Sequence, residues 1–221
     1  MEPLVFVFVA ILIVGIFVFA AWQAKKRREA MAALAGRLGM RFLPDKNRYI
    51  DDEYRFLSHM GKGSNRYAFN MIEGNWRDYD IRAFDYHYET YSSDSKGRRQ
   101  THHHYFSFFI LRLPKRFPEI TISPEGFFSK IAQFIGFEDI DFESADFSKS
   151  FCVRSGDKKF AYDICHARMM EYLLLNKDVS LEIEADCLAL FFKHRLSVDK
   201  MEYNLARLVE IRELFPDYIW K

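Results

Sequence analysis

The chain has 221 residues, 49% of them hydrophobic and 29% charged, with a formal net charge of +1. That apolar content excludes a disordered chain, ten glycines exclude a collagen repeat, and three cysteines exclude a disulfide-stapled miniature fold. A mean hydropathy of -0.21 leaves room for one bilayer span at most.

That span is Pro3 to Trp22, PLVFVFVAILIVGIFVFAAW, which carries no charge. About 20 residues of helix extend roughly 30 Å, the thickness of a bilayer's hydrocarbon core. A cleaved signal peptide is the rival reading, but it needs positive charge before a shorter apolar run. Here Met1-Glu2 precede the run and Lys25-Lys26-Arg27-Arg28 follow it, a stop-transfer pattern that predicts an uncleaved anchor. The positive-inside rule then puts the N-terminus outside and the rest of the chain in the cytoplasm, at the cell (inner) membrane. Cys152, Cys165 and Cys187, odd in number and widely spaced, suit a reducing compartment. Trp22, Lys25, Lys26, Arg27 and Arg28 are the expected contacts with anionic headgroups. Residues 30–221 hold 28 basic and 29 acidic groups, so the body is near neutral and a nucleic-acid partner is not expected.

A basic juxtamembrane stalk helix is predicted over residues 23–39. Met31, Leu34, Ala35 and Leu38 make one apolar stripe and Gly39 provides a stop. The stripe is too short for a sustained coiled coil, which favours docking on the following domain over dimerisation. A β-rich half is predicted over 40–123, with strands at Tyr54–His59, Tyr67–Glu73, Trp76–Glu89 and Thr101–Leu113. Gly74-Asn75 marks one hairpin turn and residues 91–100 a polar loop. Tyr105 to Leu111, YFSFFIL, is apolar on both faces, as in the middle of a covered sheet, and Pro114 and Pro118 are expected to end it.

The remainder, 124–221, mixes both structures, and the two halves are compatible with one domain or two. Ser123-Pro124-Glu125 reads as the start of a helix with Phe127, Ile131, Phe134 and Ile135 inward and Gly136 as its end. A second helix is predicted over Asp157–Leu175, strands over Ser180–Glu184 and Leu188–Lys193, and a last helix over Val198–Phe215. Asp199 with Glu202 resembles a capping box. Strands first and helices later predict an α+β fold on a largely antiparallel sheet.

Several stretches carry a resemblance: Phe84-Asp85-Tyr86 with Tyr88, Leu113-Pro114, Phe117, Pro124-Glu125, and Asp139-Ile140-Asp141-Phe142 with Phe147-Ser148. Over most of residues 65–155 the chain resembles a family of bacterial membrane-anchored proteins of unknown function. Their architecture is an N-terminal transmembrane segment with a cytosolic α+β domain. The resemblance implies architecture and no activity, cofactor or catalytic residue.

Four of the seven histidines, His87, His102, His103 and His104, fall in one hairpin. With its loop centred near Ser95-Lys96, His87 is expected opposite His104 and Glu89 opposite His102. Strand alternation then puts all four on one face, a set able to hold zinc or a non-haem metal. A one-residue slip would undo that set, and a solvated hairpin end is the plain alternative. Asp139, Asp141 and Glu143 alternate as hard-cation ligands on one side of a strand would, but no calcium-loop pattern accompanies them. Cys165-His166, adjacent in a predicted helix, point about 100° apart and cannot pair as nucleophile and base. Gly61-Lys62-Gly63-Ser64 lacks the strand-to-helix setting of a phosphate loop. The aromatic run of Tyr86, Tyr88, Tyr91, Tyr105 and Phe106 is expected in the core rather than stacking on bases. The inventory leans away from an enzyme. The function it favours is a single-pass membrane protein with a cytosolic interaction or scaffolding domain that contacts lipid headgroups and another protein. A membrane-tethered metal-binding protein using His87, Glu89, His102 and His104 is the alternative, and a lipid sensor built on Lys25–Arg28 a third.

Overall fold

The computed structural model describes residues 3–58, 60–94, 97–126 and 139–221. It opens with one unbroken helix, α1 (Pro3–Leu38), long and apolar enough to cross a membrane. From Phe6 to Trp22 its side chains are exposed, whereas Met31, Leu34 and Ala35 are buried against the following domain and Leu38 packs beside them. The stalk stripe therefore docks, as its spacing predicts. Gly39 ends the helix at φ 68, where a left-handed residue lets Gly39 N–H reach Gly36 O and Met40 N–H reach Ala35 O.

Six strands follow: β1 (Arg41–Leu43), β2 (Ser64–Trp76), β3 (Tyr79–Ser93), β4 (Arg99–Pro124), β5 (Phe151–Ser155) and β6 (Ser180–Phe192). They form a single sheet in the order β1-β2-β3-β4-β5, with β6 on the free edge of β4, and every pairing is antiparallel. Helices α2 (Ile50–Glu53), α3 (Ala145–Ser150), α4 (Lys158–Ile164), α5 (Ala167–Leu175) and α6 (Asp199–Glu213) complete the α+β fold, with a closing 3-10 turn at Asp217–Trp220. α3 and α4 are capped by Ser144 and Asp157, whose side chains accept from Phe147 N–H and Phe160 N–H.

Both sheet faces are covered. The stalk end of α1 with α4, α5 and α6 packs on Ile81, Ala83, Phe109, Leu111, Ile183 and Leu190. On the other face, Ile50, Tyr54, Leu57 and Met60 cover Phe84, Tyr86, Phe108, Ile110 and Phe191. The expected two-faced burial of the YFSFFIL segment holds for Phe108 to Leu111.

Other expectations are corrected. Tyr54–Phe56 is not a strand but the turn after α2, because Tyr54 and Leu57 must face one way to cover the sheet. The β2–β3 turn falls at Arg77-Asp78, both left-handed, and not at Gly74-Asn75. Gly74 instead offers a bare face to the backbone of Met40, where the end of α1 passes. Pro114 and Pro118 do not end β4. They lie in irregular stretches between Arg112 and Phe117 and between Phe117 and Ile120, where the ladder asks for no N–H from them. β6 is one strand, bent at Ala185 with φ 53, rather than two. The helix expected over 157–175 breaks at Cys165-His166, where the buried thiol ends α4 and His166 Nε2 turns to Leu214 O, 2.8 Å away. No side-chain cap forms at Val198, so Asp199 and Glu202 make no capping box. Ser123 and Pro124 belong to β4, and the helix expected beyond them lies outside the described residues.

One ion pair ties α1 to the sheet. Arg27 donates from Nε and Nη2 to both oxygens of Asp85, at 2.8 and 2.7 Å, and from Nη1 to Leu196 O at 2.7 Å. Asp85 is fully buried on β3 and also accepts from Asn70 Nδ2 at 2.9 Å. Removing one partner of such a pair strands a desolvated charge. Arg27→Ala is therefore expected to cost about 3 kcal/mol, and Arg27→Met combined with Asp85→Leu to regain most of it. Denaturant titration of the full chain in detergent checks both.

Candidate functional site

The β3–β4 hairpin brings the histidines together in a different register from the expected one. Ser93 pairs with Arg99, and the connection is closed by Asp94, which accepts from Gly97 N–H through its carbonyl and from Arg98 N–H through its carboxylate. Gly97 sits at φ 74. With Asp94 N–H bonded to Arg98 O, the connection is centred on position 96, which moves the pairing by one position, so His87 faces Tyr105, Tyr88 faces His104, Glu89 faces His103 and Thr90 faces His102.

His87, Glu89 and His103 therefore share one face, with a ligand atom from each within 4.8 Å of the others. His102 and His104 point to the opposite face. There His102 Nε2 lies 2.7 Å from Ser92 Oγ, and His104 Nε2 lies 2.8 Å from Thr90 Oγ1 while its ring stacks on Tyr88. Of the four expected ligands, two are together, two are turned away, and His103 takes their place.

The hydrogen bonds assign the His87 tautomer. Its Nδ1 is 3.1 Å from Asn65 O, which only accepts, so Nδ1 carries the proton. Nε2 then accepts from His103 Nδ1–H at 3.0 Å, and the lone pair that would meet a metal meets a proton. The His87 ring, 1% exposed, is flanked by Tyr67 and Tyr105. Burial holds it below the ordinary imidazole range, with the neighbouring His103 pushing the same way. Glu89 is held low by the Asn65 amide, which donates to it at 2.6 Å.

A second cluster has no counterpart in the sequence reading. Glu119 of β4 and Glu182 and Glu184 of β6 place one carboxylate oxygen each within 4.8 Å of one another. They lie on the sheet face opposite the one that carries Ile120, Ile122, Leu181 and Ile183. Glu182 is 1% exposed, and Ser58 donates to its two oxygens from the backbone N–H and from Oγ, each at 2.7 Å. Burial, reinforced by the neighbouring carboxylates, pushes Glu182 up to about 8, and burial with Glu119 pushes Glu184 up to about 7. Burial also lowers Lys62, whose ammonium feels Glu182, to about 8. The only local signal was the alternation Glu182-Ile183-Glu184; Glu119 joins it through the pairing of β4 with β6.

The remaining candidates resolve individually. Asp139 is taken by Arg154, whose Nε lies 2.6 Å away, and Asp141 and Glu143 do not join it in a metal-sized group among the described residues. Burial holds the Cys165 thiol far above its ordinary range, which removes it as a nucleophile. Gly63 lies so close to β3 that a Cβ there would meet Glu89 O at 2.2 Å, so the 61–64 loop is shaped by strand contact. At the end of the apolar stretch of α1, Trp22 is exposed beneath the Lys26 ammonium and Lys25 pairs with Glu29. Arg28 is exposed, and Arg27 is turned inward to Asp85.

No family model and no curated protein matches the chain, so the resemblance over residues 65–155 is carried by neither comparison. Among solved structures, the chain is similar to the mycobacterial trehalose monomycolate transport factor A, TtfA. The TM-score is 0.60 at 11% identity, covering 87% of this chain and 96% of that one. At that identity the likeness is one of fold.

The carboxylate cluster gives a pH prediction. Glu182 and Glu184 sit above their ordinary 4.5 in the folded state, so folding takes up protons between that value and about 7 to 8. Stability is fully present below the ordinary value and lost as pH rises through 7 and 8. With chelator present, the loss is expected to reach about 3 kcal/mol, and Glu182→Gln is expected to flatten it. Thermal melts across pH read both.

Proposed function

We propose that the chain is a single-pass membrane protein whose sheet domain is a non-catalytic docking module held rigidly at the cytoplasmic surface. The observation that carries this reading is the Arg27–Asp85 pair. Arg27 follows Trp22 by five residues, about 7.5 Å along a helix. A domain fastened there lies against the headgroup layer and cannot swing on a tether.

The orientation follows from two contacts. The end of α1 at Met40 lies over Gly74, which pairs with Ile81, whereas Arg27 reaches Asp85 further along β3. Travelling toward its apolar end, α1 therefore runs in the same sense as β3, toward the β3–β4 hairpin. That end of the sheet carries Arg98, Arg99, His102, Lys193, His194 and Arg195, with Tyr91 and Tyr105 exposed. Basic and tyrosine-bearing surface suits anionic headgroups, and adds to the contacts expected of Trp22, Lys25, Lys26 and Arg28. The opposite end of the sheet is left for a protein partner. That a domain of this fold serves as a transport factor in mycobacteria supports an accessory role at a membrane rather than a reaction.

The test is photo-crosslinking in intact membranes, with the photoreactive residue placed at Asp78, exposed in the β2–β3 turn at the opposite end of the sheet, and, separately, at Tyr91. A discrete protein adduct is expected from position 78 and lipid adducts from position 91. Asp85→Asn is expected to blur both patterns by freeing the domain. Patterns that are unchanged in Asp85→Asn would sink the rigid-mount reading.

A second reading is favoured by the fixed tautomer of His87, whose Nε2 is an open acceptor once His103 gives up its proton. In that reading His87, Glu89 and His103 hold zinc, and His102 and His104 take no part. Mass-spectrometric metal analysis of the untagged full chain is expected to find zinc that is lost in His87→Ala and kept in His104→Ala. Equal zinc in both variants ends this reading.

A further inference from the structure

The Glu119, Glu182 and Glu184 cluster is surrounded by polar atoms that nothing in the fold uses. On β4, Thr121 and Ser123 follow Glu119 on the same face, and on β6 Ser180 precedes Glu182 on it. Thr121 pairs directly with Glu182, and continuing that register sets Ser123 beside Ser180. Thr121 is 1% exposed, and Ser123 and Ser180 are fully buried. Thr121 Oγ1, Ser123 Oγ, Ser180 Oγ and Glu184 Oε2 are all buried without a hydrogen-bond partner. A buried polar group left unpaired costs about 1–3 kcal/mol, so three such hydroxyls beside three carboxylates, one of which has an unpaired oxygen of its own, describe a site built for something that binds oxygen.

The donor set selects the ligand. Carboxylates and hydroxyls are hard oxygen donors, with no imidazole or thiolate among them, which favours calcium or manganese over zinc or copper. Two oxygens on opposite sides of a calcium ion stand about 4.8 Å apart at ordinary Ca–O distances, and the three carboxylates fit within that span. The nearby bases are Lys62, which faces Glu182, and Arg116, which faces Glu184. Among the described residues, neither forms an ion pair with the cluster, so its carboxylate oxygens are not taken by a basic side chain.

We propose that Glu119, Glu182 and Glu184 bind a hard divalent cation of the calcium or manganese class, with Thr121 Oγ1 as the adjoining neutral donor. The ion joins the start of β6 to the far half of β4. It is separate from the histidine hairpin, which lies at the other end of β4 and on the other face.

The test uses the untagged full chain in detergent micelles, stripped with chelator and titrated with Mn²⁺ while the free hexa-aquo ion is followed by electron paramagnetic resonance. Saturable binding that Ca²⁺ displaces is expected. Glu184→Gln should weaken it at least about tenfold, and Thr121→Val, which keeps every carboxylate and nearly the same volume, by a smaller factor. Lys62→Gln should strengthen it, and His87→Ala should leave it unchanged. Circular dichroism confirms that each variant is folded. The proposal is overturned if Mn²⁺ stays free, if folded Glu184→Gln binds as the unaltered chain does, or if His87→Ala abolishes binding.

Discussion

An arginine placed just past the apolar span, and an aspartate sunk in the middle of a sheet, set the geometry of this protein. Arg27 satisfies both oxygens of Asp85 and the carbonyl of Leu196, so it ties β3 and the chain after β6 to one helix at a single point. Without that guanidinium, Asp85 keeps an amide from Asn70 and a longer contact with Ser107, too little for a fully buried carboxylate. The rest of the docking is an exposed pair between Arg37 and Glu202 of α6 and the apolar contacts of Met31, Leu34 and Ala35 on the sheet. Apolar contact gives adhesion, and the Arg27–Asp85 pair gives register. Together they fix the direction of the helix relative to the strands.

The two polar clusters stand in contrast. Around His87 the donors and acceptors are matched: His103, His87, Asn65, Glu89 and Tyr91 form a continuous chain of hydrogen bonds, and the ring lies between two tyrosines. Such a network specifies the hairpin as it stands. Around Glu182 the match is one-sided. Ser58 satisfies that carboxylate, while its neighbours across β4 remain unpaired and the carboxylates raise one another. An isolated histidine tract draws the eye in a sequence, yet the less conspicuous glutamates carry the larger electrostatic tension.

What was legible in the sequence was local. The apolar span, the stalk stripe at Met31, Leu34, Ala35 and Leu38, and the stop at Gly39 depend on residues within a few turns of one another. The α+β class was legible for the same reason. What was not legible depended on distant partners. The histidine register depends on which residues close the connection, Asp94 with Arg98, and half a position at the loop centre changes every cross-strand partner. Prolines that end a regular strand were tolerated in β4 because the ladder breaks where they sit. Arg27 looked like a lipid contact until Asp85 came beneath it, and Glu119 stood apart from Glu182 until β6 crossed to β4.

The long central strand also governs the order of assembly. β4 pairs with β3 through a short connection, so that edge closes as soon as the hairpin has been made. Its other edge waits for β6, which lies far downstream and pairs with β4 along both of its halves. During synthesis the sheet therefore exists for a time with Phe108, Phe109 and Ile110 along an unfilled edge. An open apolar strand is a template for wrong partners. Arg27 and Asp85 are both made before β6, so the tie to α1 is available early and can hold that edge in one place until its true partner arrives.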